Sequence, residues 1–174
     1  MGAAVGFAVG LVVGGTLGRA FMRALALARE DTIGFQTAMG AIVGELTGPG
    51  TAAIYVFGAF AGVALGVAYA LGRVLLPSRV PLRTILFTLG ATAFMLGQIV
   101  RGNREDFSFL PVTFSLILIV GSVTLTALPV PVLVERFAPD RERRPGRLTQ
   151  GVVALGMAGV AAFAVTGVVI AYAA

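Results

Sequence analysis

The side chains that carry out most enzyme chemistry are missing from this chain. It has no Cys and no His, and all 13 of its basic residues are Arg, so Lys is absent as well. Zinc, copper, haem and iron–sulfur centres are held chiefly by Cys and His, which excludes the usual redox carriers and membrane zinc proteases and leaves no cofactor expected. Without Lys there is no Schiff-base site, and without His or Cys any nucleophilic Ser or Thr would need a carboxylate or an Arg to activate it. The chain therefore reads as a non-enzyme, with no catalytic or metal-ligating residues.

What remains is a small set of polar and ionisable residues within apolar sequence. Glu45 lies in the mixed stretch 32–48, which also holds Gln36. Thr84, Thr88 and Thr92 recur every four residues with Gln98 beyond them, and Ser115, Ser122 and Thr126 form a looser row. A charge at mid-bilayer costs about 2.5 to 3.5 kcal/mol on insertion scales, so Glu45 is expected to be interfacial, protonated or paired. Hydroxyls at helical spacing either bond back to their own helix or line a polar passage, and the amide of Gln98 is harder to satisfy internally. Glu45, Gln36, Thr84, Thr88, Thr92 and Gln98 are thus the candidates for an ion or solute pathway. Arg19 and Arg23, one turn apart, read as anchors that snorkel to the head groups, near Gln36 and away from Glu45.

Membrane helices must position these residues. The chain of 174 residues is 57% hydrophobic and only 12% charged, with a mean hydropathy of +0.96, whereas an ordinary soluble domain is about one quarter charged. Its length suits one all-α transmembrane bundle, a single domain over 1–174. Apolar runs near 20 residues predict spans at about 2–27, 51–76, 82–100, 110–134 and 149–173. The stretch 32–48 would reach only about 25 Å as a helix against a hydrocarbon core of about 30 Å, so it is a short sixth span or a re-entrant segment.

Charge placement favours the sixth span. Five spans put eight arginines on one face and five on the other, whereas six put eleven against two, the stronger positive-inside asymmetry. The expected architecture is six spans in a prokaryotic cytoplasmic membrane with both termini outside, five spans plus one re-entrant segment being the alternative. The loop 135–148, with Arg141, Arg143, Arg144 and Arg147 touching lipid head groups, is then cytoplasmic. Arg29-Glu30-Asp31 and Arg104-Glu105-Asp106 each precede an apolar segment interrupted at Pro49 or at Pro129 and Pro131. Two halves of three spans related as an inverted repeat would follow, as in many secondary transporters.

Gly2, Gly6, Gly10, Gly14 and Gly18 recur with period four, and Gly58, Gly62 and Gly66 repeat the device. In lipid, such glycine-zipper faces let backbones approach, serving intramolecular packing, homo-oligomerisation or docking onto a partner membrane subunit. The net charge of +5 does not point to nucleic acid, because the arginines flank apolar runs.

Gly18-Arg19-Ala20-Phe21-Met22-Arg23 ends the glycine-rich first run; Phe35-Gln36-Thr37 follows, and then a glycine-rich run with Tyr69 and Arg73 that closes at Leu76-Pro77. Over about the first 80 residues this resembles a group of uncharacterised prokaryotic integral membrane proteins, and the resemblance implies no activity. Two functions fit the residues. The favoured one is a transport or channel-type protein for an ion or small solute. The alternative is a structural or accessory subunit that packs through its glycine faces.

Overall fold

A computed structural model describes residues 1–28, 33–36, 42–103, 112–137 and 147–173, apart from the side chains at 147–150, 152–154, 157 and 171. The described chain is helical, with one isolated β-bridge. Helix α1 (Gly2–Val9) runs through a π-helical turn (Gly10–Gly14) into α2 (Gly15–Ala28); α3 (Gly48–Gly72) and α4 (Val80–Gly102) follow. Then come α5 (Val112–Ala127), α6 (Pro129–Phe137) and α7 (Arg147–Tyr172). Four helical stretches, Gly2–Ala28, Gly48–Gly72, Val80–Gly102 and Val112–Phe137, are long and apolar enough to cross a membrane. Helix α7 has 26 residues, about 39 Å at 1.5 Å per residue. These bounds lie within a few residues of the five clear apolar runs. Away from water a backbone must satisfy its own hydrogen bonds, and an uninterrupted helix does so even where glycine is frequent.

The tightest packing is backbone on backbone. Helices α1 and α3 run antiparallel with Gly2 against Gly66, Gly6 against Gly62 and Gly10 against Gly58. A Cβ placed on Gly6 would lie 2.0 Å from the Gly62 carbonyl oxygen, and one on Gly62 would lie 2.1 Å from that of Gly6. Only glycine permits this approach. The period-four face ends at the π turn, which adds one residue to a helical turn and shifts the following sequence around the axis. Beyond it Gly15 faces α3, where a Cβ would stand 2.6 Å from the Tyr55 ring, while one on Gly14 would make ordinary contact at 3.4 Å with Thr126. Gly18 sits beside Ile54. Arg19, one helical turn after Gly15, thereby comes to the start of α3.

The expected helical span over 32–48 is not found among the described residues. Gly34 donates to the Val43 carbonyl and Val43 to that of Phe35, each at 2.9 Å, and Gln36 bridges Ile42 in antiparallel sense. Gly34 and Gly44 both have φ of +84°, a left-handed conformation that ends a helix and that glycine adopts readily. Residues 33–36 and 42–44 thus pair beside the end of α2, with the fully buried Val43 against Leu25 and Ala26. Among the described residues four helical stretches are long and apolar enough to cross a membrane, and a sixth span is not confirmed.

The two proline elements also differ. Pro49 lies in the first turn of α3, where its missing N–H costs nothing. Pro129 instead opens α6 after a one-residue break at Leu128. They are not equivalent positions of two halves. The tripeptides 29–31 and 104–106 lie outside the described residues.

Helix α7 docks on α4 where Gly167 meets Gly97, whose added Cβ would lie 2.5 Å from the Phe163 ring. Overpacking a tight contact typically costs about 1–3 kcal/mol. Gly62→Ala should lower stability by at least that much in equilibrium unfolding. Gly121→Ala, in open space on α5, should be neutral or stabilising.

Candidate functional site

Where the end of α3, the start of α4 and α6 meet, three polar side chains are buried together. Tyr69, in the last turns of α3, is fully buried and donates its hydroxyl to Glu135 Oε1 at 2.6 Å. Arg83, in the first turn of α4, pairs with Glu135 Oε2 at 3.4 Å, the two side chains being 7% and 9% exposed. The edge-on Phe87 ring, 4.9 Å from that of Tyr69, closes one side. Sequence explains the placement. Pro81 starts α4 just before Arg83, and Val130, Pro131 and Val134 bury one face of α6, Val130 and Val134, the latter one residue before Glu135, clustering with Val9, Leu65 and Ala127.

A row of hydroxyls leads from this cluster along the buried face of α4. Thr84, Thr88 and Thr92 are all buried. Thr92 Oγ1 lies 3.2 Å from Thr124 Oγ1 on α5, and Thr88 Oγ1 has no hydrogen-bond partner. From Arg83 to Thr92 the row spans about 14 Å at 1.5 Å per residue. Ser115 is also fully buried on α5, and Thr126 Oγ1 donates back to the Ser122 carbonyl at 2.8 Å.

The other sequence candidates lie elsewhere. Glu45, Gln36 and Gln98 are exposed, so none of the three joins the buried row. Arg19 was expected apart from Glu45, yet its Nη1 donates to the Glu45 carbonyl at 3.4 Å and its Nη2 to the Thr47 carbonyl at 3.2 Å and to Thr51 Oγ1. The separation assumed a crossing between them, whereas Arg19 reaches the carbonyls that precede α3. Arg19 is therefore a tie between α2 and the start of α3, whereas Arg23 is exposed. Arg141, Arg143 and Arg144 lie outside the described residues, as does the Arg147 side chain. Arg101 forms a second tie: it donates to the Gly97 carbonyl at 3.2 Å, to the Phe163 carbonyl at 3.0 Å and to Thr166 Oγ1, with its guanidinium 3.6 Å from the Phe163 ring centroid.

Tyr69, Arg83 and Glu135 were not singled out from sequence, where Arg83 entered only a charge count and Glu135 a polar loop. The available signal was their position: opposite charges at the start of one apolar run and just past the end of another, two ends that five or six crossings place on the same side. Among the described residues no group of three or more His, Cys, Asp or Glu side chains is placed to hold a metal. The cluster offers an ion pair and a phenol donor.

Breaking one partner of a buried pair typically costs about 3–5 kcal/mol, while replacing both by apolar residues is often neutral. Glu135→Leu should therefore destabilise strongly, and Arg83→Met combined with Glu135→Leu should recover most of the loss in a double-mutant cycle. Tyr69→Phe, which deletes a hydrogen bond to a charged group, should cost about 1.5–3 kcal/mol in the same unfolding assay. No known protein family, curated protein or solved structure matches the chain, so the geometry of this cluster is what its function must be argued from.

Proposed function

We propose that the chain is a small membrane transport protein for an ion or small polar solute, with the Tyr69–Glu135–Arg83 cluster as the closed end of its pathway. One observation carries this reading: a buried ion pair stands at the head of a row of buried hydroxyls. A buried pair seldom stabilises more than apolar packing would, and ionisable groups inside a bundle commonly mark ion or proton routes. Glu135 links Arg83 on α4 and Tyr69 on α3 to α6, so a cation that competes with Arg83 for Glu135 loosens the contact between the three helices. The unpartnered Thr88 hydroxyl then offers the next polar contact along α4.

This reading takes five crossings, with 33–36 and 42–47 at one end. The N-terminus then shares a side with Arg73, Arg79, Arg83, Arg136, Arg141, Arg143, Arg144 and Arg147, eight arginines against five. Two of those five, Arg19 and Arg101, are tied to backbone carbonyls. The arginine-rich side is cytoplasmic in a prokaryotic membrane, which puts the N-terminus inside and the C-terminus outside. An accessory-subunit role would need another surface than Gly2, Gly6, Gly10, Gly58, Gly62 and Gly66, which are covered within the chain.

The native chain lacks Cys, which makes single-cysteine labelling clean. With an impermeant thiol reagent on intact cells, Ala28→Cys and Asn103→Cys should label from the same side and Ser78→Cys only after lysis; opposite sides for the first two would restore a sixth crossing. In proteoliposomes under a proton gradient, the protein should release a dye-reported flux of protons or monovalent ions above that of empty vesicles. Glu135→Gln should slow it at least tenfold while Gln98→Ala leaves it unchanged. Transport that is absent, or indifferent to Glu135→Gln, refutes the assignment.

A further inference from the structure

In the half of the bundle away from the ion pair, α2, α3, α4 and α5 enclose a cavity of about 190 Å³. We infer that it binds an uncharged amphiphile with one oxygen function and an apolar chain, its oxygen held by Ser115.

The wall decides the chemistry. It is built from Phe21, Ile54, Leu65, Met95, Ile119 and their neighbours, with Gly14, Gly18 and Gly58 leaving one side flat, and it contains no charged residue. A charged head group finds no counter-ion there; a hydrocarbon finds dispersion contacts on every side. For scale, an apolar cavity of about 150 Å³ stays dry and accepts benzene. Phe57 lines the cavity while 44% exposed, and so stands at an opening toward the surrounding lipid.

Ser115 supplies the polar end. It lines the cavity, its residue is 0% exposed, and its Oγ has no hydrogen-bond partner. Two other polar side chains of the wall are already bonded within their own helices: Thr126 Oγ1 to the Ser122 carbonyl at 2.8 Å and Asn103 Nδ2 to the Ile99 carbonyl at 2.7 Å. Buried hydroxyls are almost always satisfied, so the unmade bond of Ser115 marks the place of a ligand oxygen. Ser115 lies in the first turn of α5, and the wall continues along that helix to Thr126, about 16 Å further at 1.5 Å per residue. A polar point near a helix end with an apolar slot leading inward matches a neutral lipid or alcohol lying parallel to the helices. Neither Arg83 nor Glu135 lines the cavity, so the site stands apart from the proposed transport pathway.

The test uses the full chain in phosphatidylethanolamine and phosphatidylglycerol vesicles with a diazirine-bearing octanol as photoprobe. Adducts should map to cavity residues such as Met95 and Ile119, and octanol should protect at least tenfold better than octane or octanoate. Protection by dioleoylglycerol would identify a bilayer lipid as the source, and protection by octanol alone a free alcohol; both support the site. Ser115→Ala should reduce the preference for octanol over octane by about tenfold, the worth of one hydrogen bond. It should fold at least as well as the native chain, because it removes only an unsatisfied hydroxyl. Ala61→Phe, which fills the cavity, should abolish labelling. Adducts scattered over the lipid-facing surface, equal protection by octane, or an unchanged preference in Ser115→Ala would overturn the inference.

Discussion

Two helices that touch through their backbones set the terms for the rest of this molecule. With Gly6 and Gly62 so close that neither tolerates a Cβ, α1 and α3 have no freedom to slide or rotate against one another. In a bilayer this matters more than in water, because lipid tails are as apolar as Leu and supply no hydrophobic drive between helices. Contact then comes from dispersion over closely apposed surfaces, which small residues allow. The N-terminal helix is locked to the third by this contact, and the ends of both are fixed relative to α4 and α6.

The π turn is the second constraint, and it follows from the first. A straight α-helix would continue the glycine face through Gly14 and Gly18. The extra residue in the turn brings Gly15 and then Arg19 alongside Gly14 and Gly18 toward α3, where Arg19 meets the carbonyls that precede that helix. One local irregularity thus converts a packing face into an ionic tie. Arg101 does comparable work between α4 and α7, using the fork of its guanidinium on carbonyls and its flat face on Phe163. A chain without Lys has only this planar, multi-donor cation for such work, and two of its arginines are spent on backbone oxygens.

The two ends of the bundle differ in kind. At one, Tyr69, Arg83 and Glu135 fill the space between helices with a bonded ion-pair cluster. At the other, glycines and medium-sized apolar residues leave a cavity lined by the unpartnered Ser115 hydroxyl. Between them the threonines of α4 provide the polar continuity, joined to α5 at Thr92 and Thr124.

By itself the sequence determined that the chain is helical and built on apolar runs of membrane-spanning length, that its glycines recur at helical spacing, and that Cys, His and Lys chemistry is absent. These follow from composition and period, which are local properties. The buried row Thr84, Thr88 and Thr92 was legible for the same reason, since period four keeps residues on one face of a helix. Only the tertiary structure decided the pairing of 34–36 with 42–43, because left-handed glycines at 34 and 44 and the bridge of Gln36 to Ile42 are invisible to a hydropathy count. It also decided the phase shift at Gly10–Gly14 and the meeting of Tyr69, Arg83 and Glu135, drawn from three helices far apart in the chain. Periodicity tells which residues share a face; which faces meet is settled by close packing.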